Sequence, residues 1–288
     1  MTRIIIGILS FLPLAMHHAI GTIVGTVLFN FENRTRRITS KNLSICFPEL
    51  NSDEHNSLLK SSLIENAKSL IEAFWLWDHP KQSIQSRLGK IENKHLLLRA
   101  SQKNNGTIFV TPHFGSWEYI GLLTASHSDL LILYAPPKSS LIERLSCQGR
   151  SGTGGNVVST ESLNLKSLIK HIKNGGSVGI LPDQVPDGNG GEYSPFFGRL
   201  AYTSTLVSKL AMKLQCNVVY CYAIRSTNNR KYDAYYYEAP KDIFSNDIQV
   251  SVDSLNKSIE SFILEQPHQY IWGYKRFKKP APTDTYPY

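Results

Sequence analysis

Residues 4–31 contain no Asp, Glu, Lys or Arg, and this stretch, rich in Ile, Leu, Val and Phe, constrains the fold more than any other part of the chain. As one helix it would reach about 42 Å at roughly 1.5 Å per residue, more than the ~30 Å of a bilayer's hydrocarbon core. Pro13 and the pair His17, His18 interrupt it. Two apolar pieces are therefore expected, residues 4–16 and 19–31, embedded in one leaflet or packed on the rest of the chain rather than crossing cleanly. A cleaved signal peptide would also place a basic residue such as Arg3 before an apolar run, but no A-x-A site follows. Arg34, Arg36 and Arg37, directly after the stretch, favour the cytoplasmic face for this end. Residues 1–31 are read as a hydrophobic membrane-associating helix or hairpin, with a merely buried helix as the alternative. His17 and His18 are expected at the interface and not on a metal.

The remaining chain is long enough for one sizeable core, so residues 32–280 are expected to form a single catalytic domain, followed by a Pro-rich, loosely held tail at 281–288. Lys and Arg number 31 against 23 Asp and Glu, a net charge of +8, which points to anionic partners: nucleic acid, membrane phosphates or an acidic carrier protein. Nucleic acid is the least favoured, because the basic residues follow no recognition motif and the apolar N-terminus does not suit it. Cys46, Cys147, Cys216 and Cys221 have neither C-x-x-C pairing nor zinc-site spacing and read as free thiols.

Residues 52–77 place Leu59, Leu63, Ala67, Leu70 and Phe74 at three- and four-residue spacing, behind a Ser52 cap with Asp53 and Glu54 in the first turn, which predicts an amphipathic helix. Phe74, Trp75 and Trp77 at its end are read as core, with grip on an apolar ligand as the alternative. Short β-rich runs at 107–111, 130–134, 177–181, 218–224 and 232–237 alternate with helical patterns at 117–126, 163–173, 203–214 and 252–264. The alternation predicts an α/β fold, a mixed β-sheet covered by helices.

The sharpest chemical constellation is HFGSWE at residues 113–118, between a predicted strand and a predicted helix. Residues five apart diverge by about 140° on a helix, so His113 and Glu118 can meet only if the chain turns, as Pro112 and Gly115 allow. Ser116 would cap the helix, and Glu118 in its first turn could fix one imidazole tautomer while His113 acts as general base. There is no G-x-S-x-G elbow and no H-E-x-x-H. A base without its own nucleophile suggests direct attack by a substrate hydroxyl. The Gly-rich residues 149–156 lack the Gly-Lys-Ser/Thr of a phosphate loop, and 183–192 lacks the ligand pattern of a calcium loop, so neither ATP nor metal is expected.

The HFGSWE hexad resembles the H-x-x-x-x-D/E block of glycerolipid acyltransferases, in the form typical of bacterial lipid A late acyltransferases, with Ser116 in place of the usual Asn. NLSICFPE at 42–49, GILPDQ at 179–184, PFFG at 195–198, QYIW at 269–272 and RFK at 276–278 resemble further blocks of that family in the same order, so the likeness covers nearly the whole chain. It implies a glycerolipid-acyltransferase-like fold and His113 and Glu118 as catalytic residues. It further implies substrate binding by Arg150, Asp183 and Gln184, which fall in the family's later blocks. Arg150 would hold a phosphate or an oxyanion; a solvated loop cation, and a turn or cap role for Asp183, are the alternatives. The resemblance also implies acyl carrier protein thioester as donor and co-substrate with no other cofactor, a phosphorylated glycolipid as acceptor, and the cytoplasmic side of a bacterial inner membrane. Ala135, Leu206 and Tyr220-Cys221 depart from the family pattern and bear on acceptor and acyl-chain specificity. A different glycolipid or aminolipid acceptor, or a lipid-binding protein without turnover, are the competing readings.

Overall fold

The β-rich runs become strands in a computed structural model that describes residues 12–102, 105–226, 231–282 and 284–288. In chain order they are β1 (Leu88–Glu92), β2 (Thr107–Val110), β3 (Leu130–Tyr134), β4 (Asn156–Ser159), β5 (Ser177–Ile180), β6 (Gly191–Phe196), β7 (Arg199–Ser204), β8 (Asn217–Arg225) and β9 (Tyr232–Glu238). Seven of these form one sheet in the order β1-β9-β8-β2-β5-β3-β4, and β6 and β7 make a separate antiparallel hairpin. Strands β8, β2, β5, β3 and β4 are mutually parallel, whereas β9 runs antiparallel to β8 and parallel to β1. Every residue of β2 and β5 is buried, as expected at the centre of a sheet with helices on both faces.

Helix α1 (Leu14–Asn30) lies along α3 (Ser52–Asp78), with α2 (Arg34–Cys46) between them in sequence. Gly21 and Gly25 permit this approach, since a methyl at either would collide with the backbone of Lys68 or Ile64. The opposite face of α1 exposes Met16, Ile23, Val24 and Val27, with Phe31 just beyond its end. No single helix among the described residues is long and apolar enough to cross a membrane. Residues 4–11 of the first expected apolar piece lie outside the described residues. His17 and His18 are both buried rather than at an interface, and His18 faces α3, where its Nε2 meets the Glu72 carboxylate at 2.6 Å.

The cap of α3 is Asn51, one residue earlier than expected: its side chain accepts from the Asp53 and Glu54 N–H groups, and Glu54 returns a bond to the Asn51 N–H. Polar α2 buries Ile38, Leu43 and Cys46 on one face, and its Asn42 amide donates to the carbonyls of Trp272 and Tyr274 from the same face. After α3 come α4 (Pro80–Arg87), α5 (Lys94–Ser101), α6 (Trp117–Ala125), α7 (Ser140–Ser151), α8 (Leu165–Lys173), α9 (Leu206–Leu214) and α10 (Ile248–Glu265). The helix expected over 203–214 begins only at Leu206, because Thr203 and Ser204 pair with Glu192 and Gly191 in the hairpin. The tail is tied down: Tyr288 donates to Asn42 and accepts from the Phe277 N–H, and the Thr285 carbonyl accepts from Arg199.

Candidate active site

His113 stands on the loop that leaves β2 at the carboxyl edge of the sheet. The loop is fastened along its length: the His113 carbonyl accepts from Ile271, the Gly115 N–H donates to Gln269 and the Ser116 N–H to Ala223. Gly115 has φ +60°, and a side chain there would strike the Ala223 carbonyl, so glycine is required at this point.

The carboxylate on the imidazole is Asp183, not Glu118. Asp183 Oδ1 accepts from His113 Nδ1 at 2.8 Å and its Oδ2 from the His113 backbone N–H at 2.9 Å. In the neutral tautomer with Nδ1 donating, the lone pair is on Nε2, and the Gln184 side-chain nitrogen lies 3.3 Å from it. Burial alone would raise the pKa of Asp183, but the imidazole and its two hydrogen bonds outweigh that and hold it below the ordinary carboxylate range. Asp183 thus stands in the turn after β5 with its side chain committed to His113 and not to capping a helix. It lies seventy residues from His113 in sequence, beyond the reach of any spacing argument.

Glu118 sits in the first turn of α6 as expected, but makes no hydrogen bond to His113. Arg150 grips it with a two-pronged contact, Nε to Oε2 at 3.0 Å and Nη2 to Oε1 at 2.6 Å, and the Trp77 indole donates to Oε2 at 2.9 Å. Burial would raise Glu118, yet the Arg150 guanidinium keeps it below its usual value. Arg150 closes the last turn of α7 and is no solvated loop cation: its side chain is 19% exposed, and Trp77 and Tyr134 flank it.

Ser116 does not cap α6; its hydroxyl donates to Glu72 Oε1 at 2.7 Å. Glu72 also receives Arg225 Nη1, His18 Nε2 and the Tyr232 hydroxyl. Arg225 extends the cluster to Glu65 and the Gly115 carbonyl. Burial would push Glu72 up, but Arg225, His18 and Ser116 together bring it down to about 2. Sequence reasoning missed this cluster. A signal was present, for Ser62, Glu65, Ser69 and Glu72 recur at three- and four-residue spacing within a helix otherwise read only for its apolar stripe.

From His113 and Gln184 an apolar cavity of about 580 Å³ runs inward between α3, α6, α7 and the sheet, within the roughly 300–1,000 Å³ common for ligand cavities. Leu70, Phe74 and Trp77 of α3 line it, so the aromatic end expected as core divides: Trp75 is buried and the other two face the cavity. Two adjoining hollows of about 360 and 520 Å³ are bordered by Arg34, Arg37, Lys41, Lys275 and Lys278. Tyr274, in the wall of the first, accepts from the Val185 N–H, which ties this basic surface to the Asp183–Gln184 turn. Cys46, Cys147, Cys216 and Cys221 are free, and no cluster of His, Cys, Asp and Glu fit for a metal occurs among the described residues.

Residues 1–279 match the family model of bacterial lipid A biosynthesis acyltransferases. The chain is 24% identical to the lipid A biosynthesis palmitoleoyltransferase of Escherichia coli (strain K12), over 93% of this chain and 86% of that protein. To the lauroyltransferase of the same organism it is 25% identical, over 93% and 87% respectively. To the myristoyltransferase of that organism it is 21% identical, over 88% and 78%. A match to the family model across almost its full length, and similarity to these three relatives over most of theirs, place this chain in the bacterial lipid A biosynthesis acyltransferase family.

Proposed function

We propose that this protein transfers a fatty acyl chain from an acyl carrier protein thioester to a hydroxyl of a phosphorylated lipid A precursor at the cytoplasmic side of the inner membrane. The observation that carries the reading is the His113–Asp183 pair at the mouth of the apolar cavity, with Nε2 turned away from the carboxylate. Asp183 fixes the tautomer in which Nδ1 bears the proton, so Nε2 accepts the proton of the acceptor hydroxyl as its oxygen attacks the thioester carbonyl. A new C–O bond forms, and the tetrahedral intermediate then breaks its C–S bond. The thiolate leaves with the proton held by the imidazolium, and Asp183 stabilises that cation in the interval. The Gln184 amide beside Nε2 is the nearest side-chain donor for the oxyanion. Glu118 and Arg150 form the wall beside the reacting atoms, and the acyl chain fills the cavity.

The five cations around the neighbouring hollows suit the phosphates of the acceptor, and the exposed apolar face of α1 suits the acyl layer beside them. The test is transfer of a labelled acyl group from acyl carrier protein to a Kdo-bearing tetraacyl precursor by detergent-purified protein. His113→Ala is expected to lower the rate by roughly 10²–10⁴-fold, and Asp183→Asn by a comparable factor, with melting curves retained. Wild-type turnover by His113→Ala would sink the mechanism. Product with another glycolipid but none with the lipid A precursor would move the acceptor.

A further inference from the structure

The cavity has a depth axis set by the strands. His113, Leu181 and Gln184 lie at the carboxyl edge of the sheet. Phe109, Gly179 and Ile132 share one register row in the middle, and Leu130, paired with Ser177, lies toward the opposite edge. Helix α6 starts beside the His113 loop and ends at Ala125, shortly before β3 begins at that far edge, so it runs along the same axis. Its residues Trp117, Gly121 and Thr124 therefore line the cavity at increasing depth.

Gly121 stands in the middle of this helical wall. A Cβ built on it meets no atom within 4 Å, so the space a side chain would take is cavity. Gly115 differs, since there backbone fills the space and φ demands glycine, whereas Gly121 has ordinary helical geometry. Gly179, on the sheet wall, is also open, with only the Leu130 methyls at 3.7 and 3.9 Å from such a Cβ. Glycine inside a helix is conformationally unfavourable, and neither backbone strain nor close packing calls for it at this position.

We infer that Gly121 determines how long an acyl chain the enzyme accepts, by leaving the inner part of the cavity open past the level of Trp117. The inference rests on the reading that this cavity holds the donor's acyl chain. A larger side chain at Gly121 would close the stretch between Gly121 and Thr124, about 4.5 Å at roughly 1.5 Å per residue. At about 1.3 Å of advance per extended carbon–carbon bond, that is about three or four methylenes.

The experiment compares wild type, Gly121→Ala and Gly121→Leu with a series of acyl carrier proteins bearing even-numbered chains from short to long, with products weighed by mass spectrometry. Gly121→Leu is expected to shift the optimum to a chain about four carbons shorter. The chain preferred by wild type should fall by about ten-fold or more, the scale on which apolar pockets discriminate methylenes, while the shorter chain keeps its rate. Gly121→Ala should move the profile in the same direction by less. An unchanged length profile in Gly121→Leu, whatever its overall rate, overturns the inference. If wild type yields no product with any donor, the acyl-transfer reading fails by itself. The cavity is then probed by displacing a fluorescent fatty acid with unlabelled fatty acids of graded length. A shorter limit for Gly121→Leu than for wild type supports the inference, and equal limits overturn it.

Discussion

Two arginine–glutamate pairs flank the loop that carries His113, and they are built to different ends. Behind the loop, the Arg225 side chain is 2% exposed and all three guanidinium nitrogens meet protein acceptors: Nε and Nη2 on Glu65, Nη1 on Glu72 and the Gly115 carbonyl. In front of it, Arg150 places Nε and Nη2 on Glu118, while its Nη1 has no protein acceptor among the described residues and the side chain lines the cavity. The ion-pair chemistry is the same. What separates frame from working surface is how many donors remain for a ligand, and whether water reaches them.

The comparison is best broken by removing one arm at a time. Arg225→Ala takes from buried Glu72 its guanidinium partner, leaving it only His18, Ser116 and Tyr232, and should cost about 3–5 kcal/mol of stability, the usual penalty for halving a buried pair. Denaturant unfolding measures it, and a loss below that of the Glu118 variant would reverse the assignment of frame and surface. The next effect is pH-dependent. Glu72 is depressed to about 2 in the folded chain, so its contribution is complete above the ordinary glutamate range and is lost as pH falls from there through about 2. Acid unfolding of wild type should therefore be steeper over that interval than that of Glu72→Gln; parallel curves would show that Glu72 is not held as described. Glu118→Gln keeps an acceptor for Trp77 but loses the charge under Arg150, and should cost about 1–3 kcal/mol in kcat/KM with a smaller change in melting temperature. Rates measured beside melting curves separate the two, and the reverse pattern would make Arg150 a frame residue too. The smallest effect is Trp77→Phe, which removes one hydrogen bond to Glu118 and should lower stability by about 1 kcal/mol.

Much of the sheet was legible because runs such as TIFV and LLILY are apolar, β-branched and bounded by helical patterns. The polar helices were less so: α2 has few apolar residues among its polar ones, yet Ile38, Leu43 and Cys46 are buried beside the Asn42 bonds and behind the Asn33 cap. At the site, His113, Glu118, Arg150 and Gln184 line one cavity, and Asp183 reaches it through its bonds to His113. Their pairing was not legible. Sequence proximity favoured Glu118 for the imidazole, whereas the parallel pairing of β2 with β5 puts the turn after Ile180 beside the loop after Val110. Register across a sheet is a tertiary fact, and no local pattern encodes which carboxylate it delivers.

The contact between α1 and α3 changes how the chain can be trimmed. The glycines that seat α1 on Ile64 and Lys68, and the bond from His18 to Glu72, make the apolar helix part of the scaffold that steadies Ser116 and Gly115. Deleting it in search of a more soluble catalytic fragment would bare an oily seam along α3. The same cut would remove one of the donors that keep Glu72 ionised. Such a truncation should aggregate rather than simplify handling, and solubility is better sought by supplying detergent or lipid to the outward face of an intact helix.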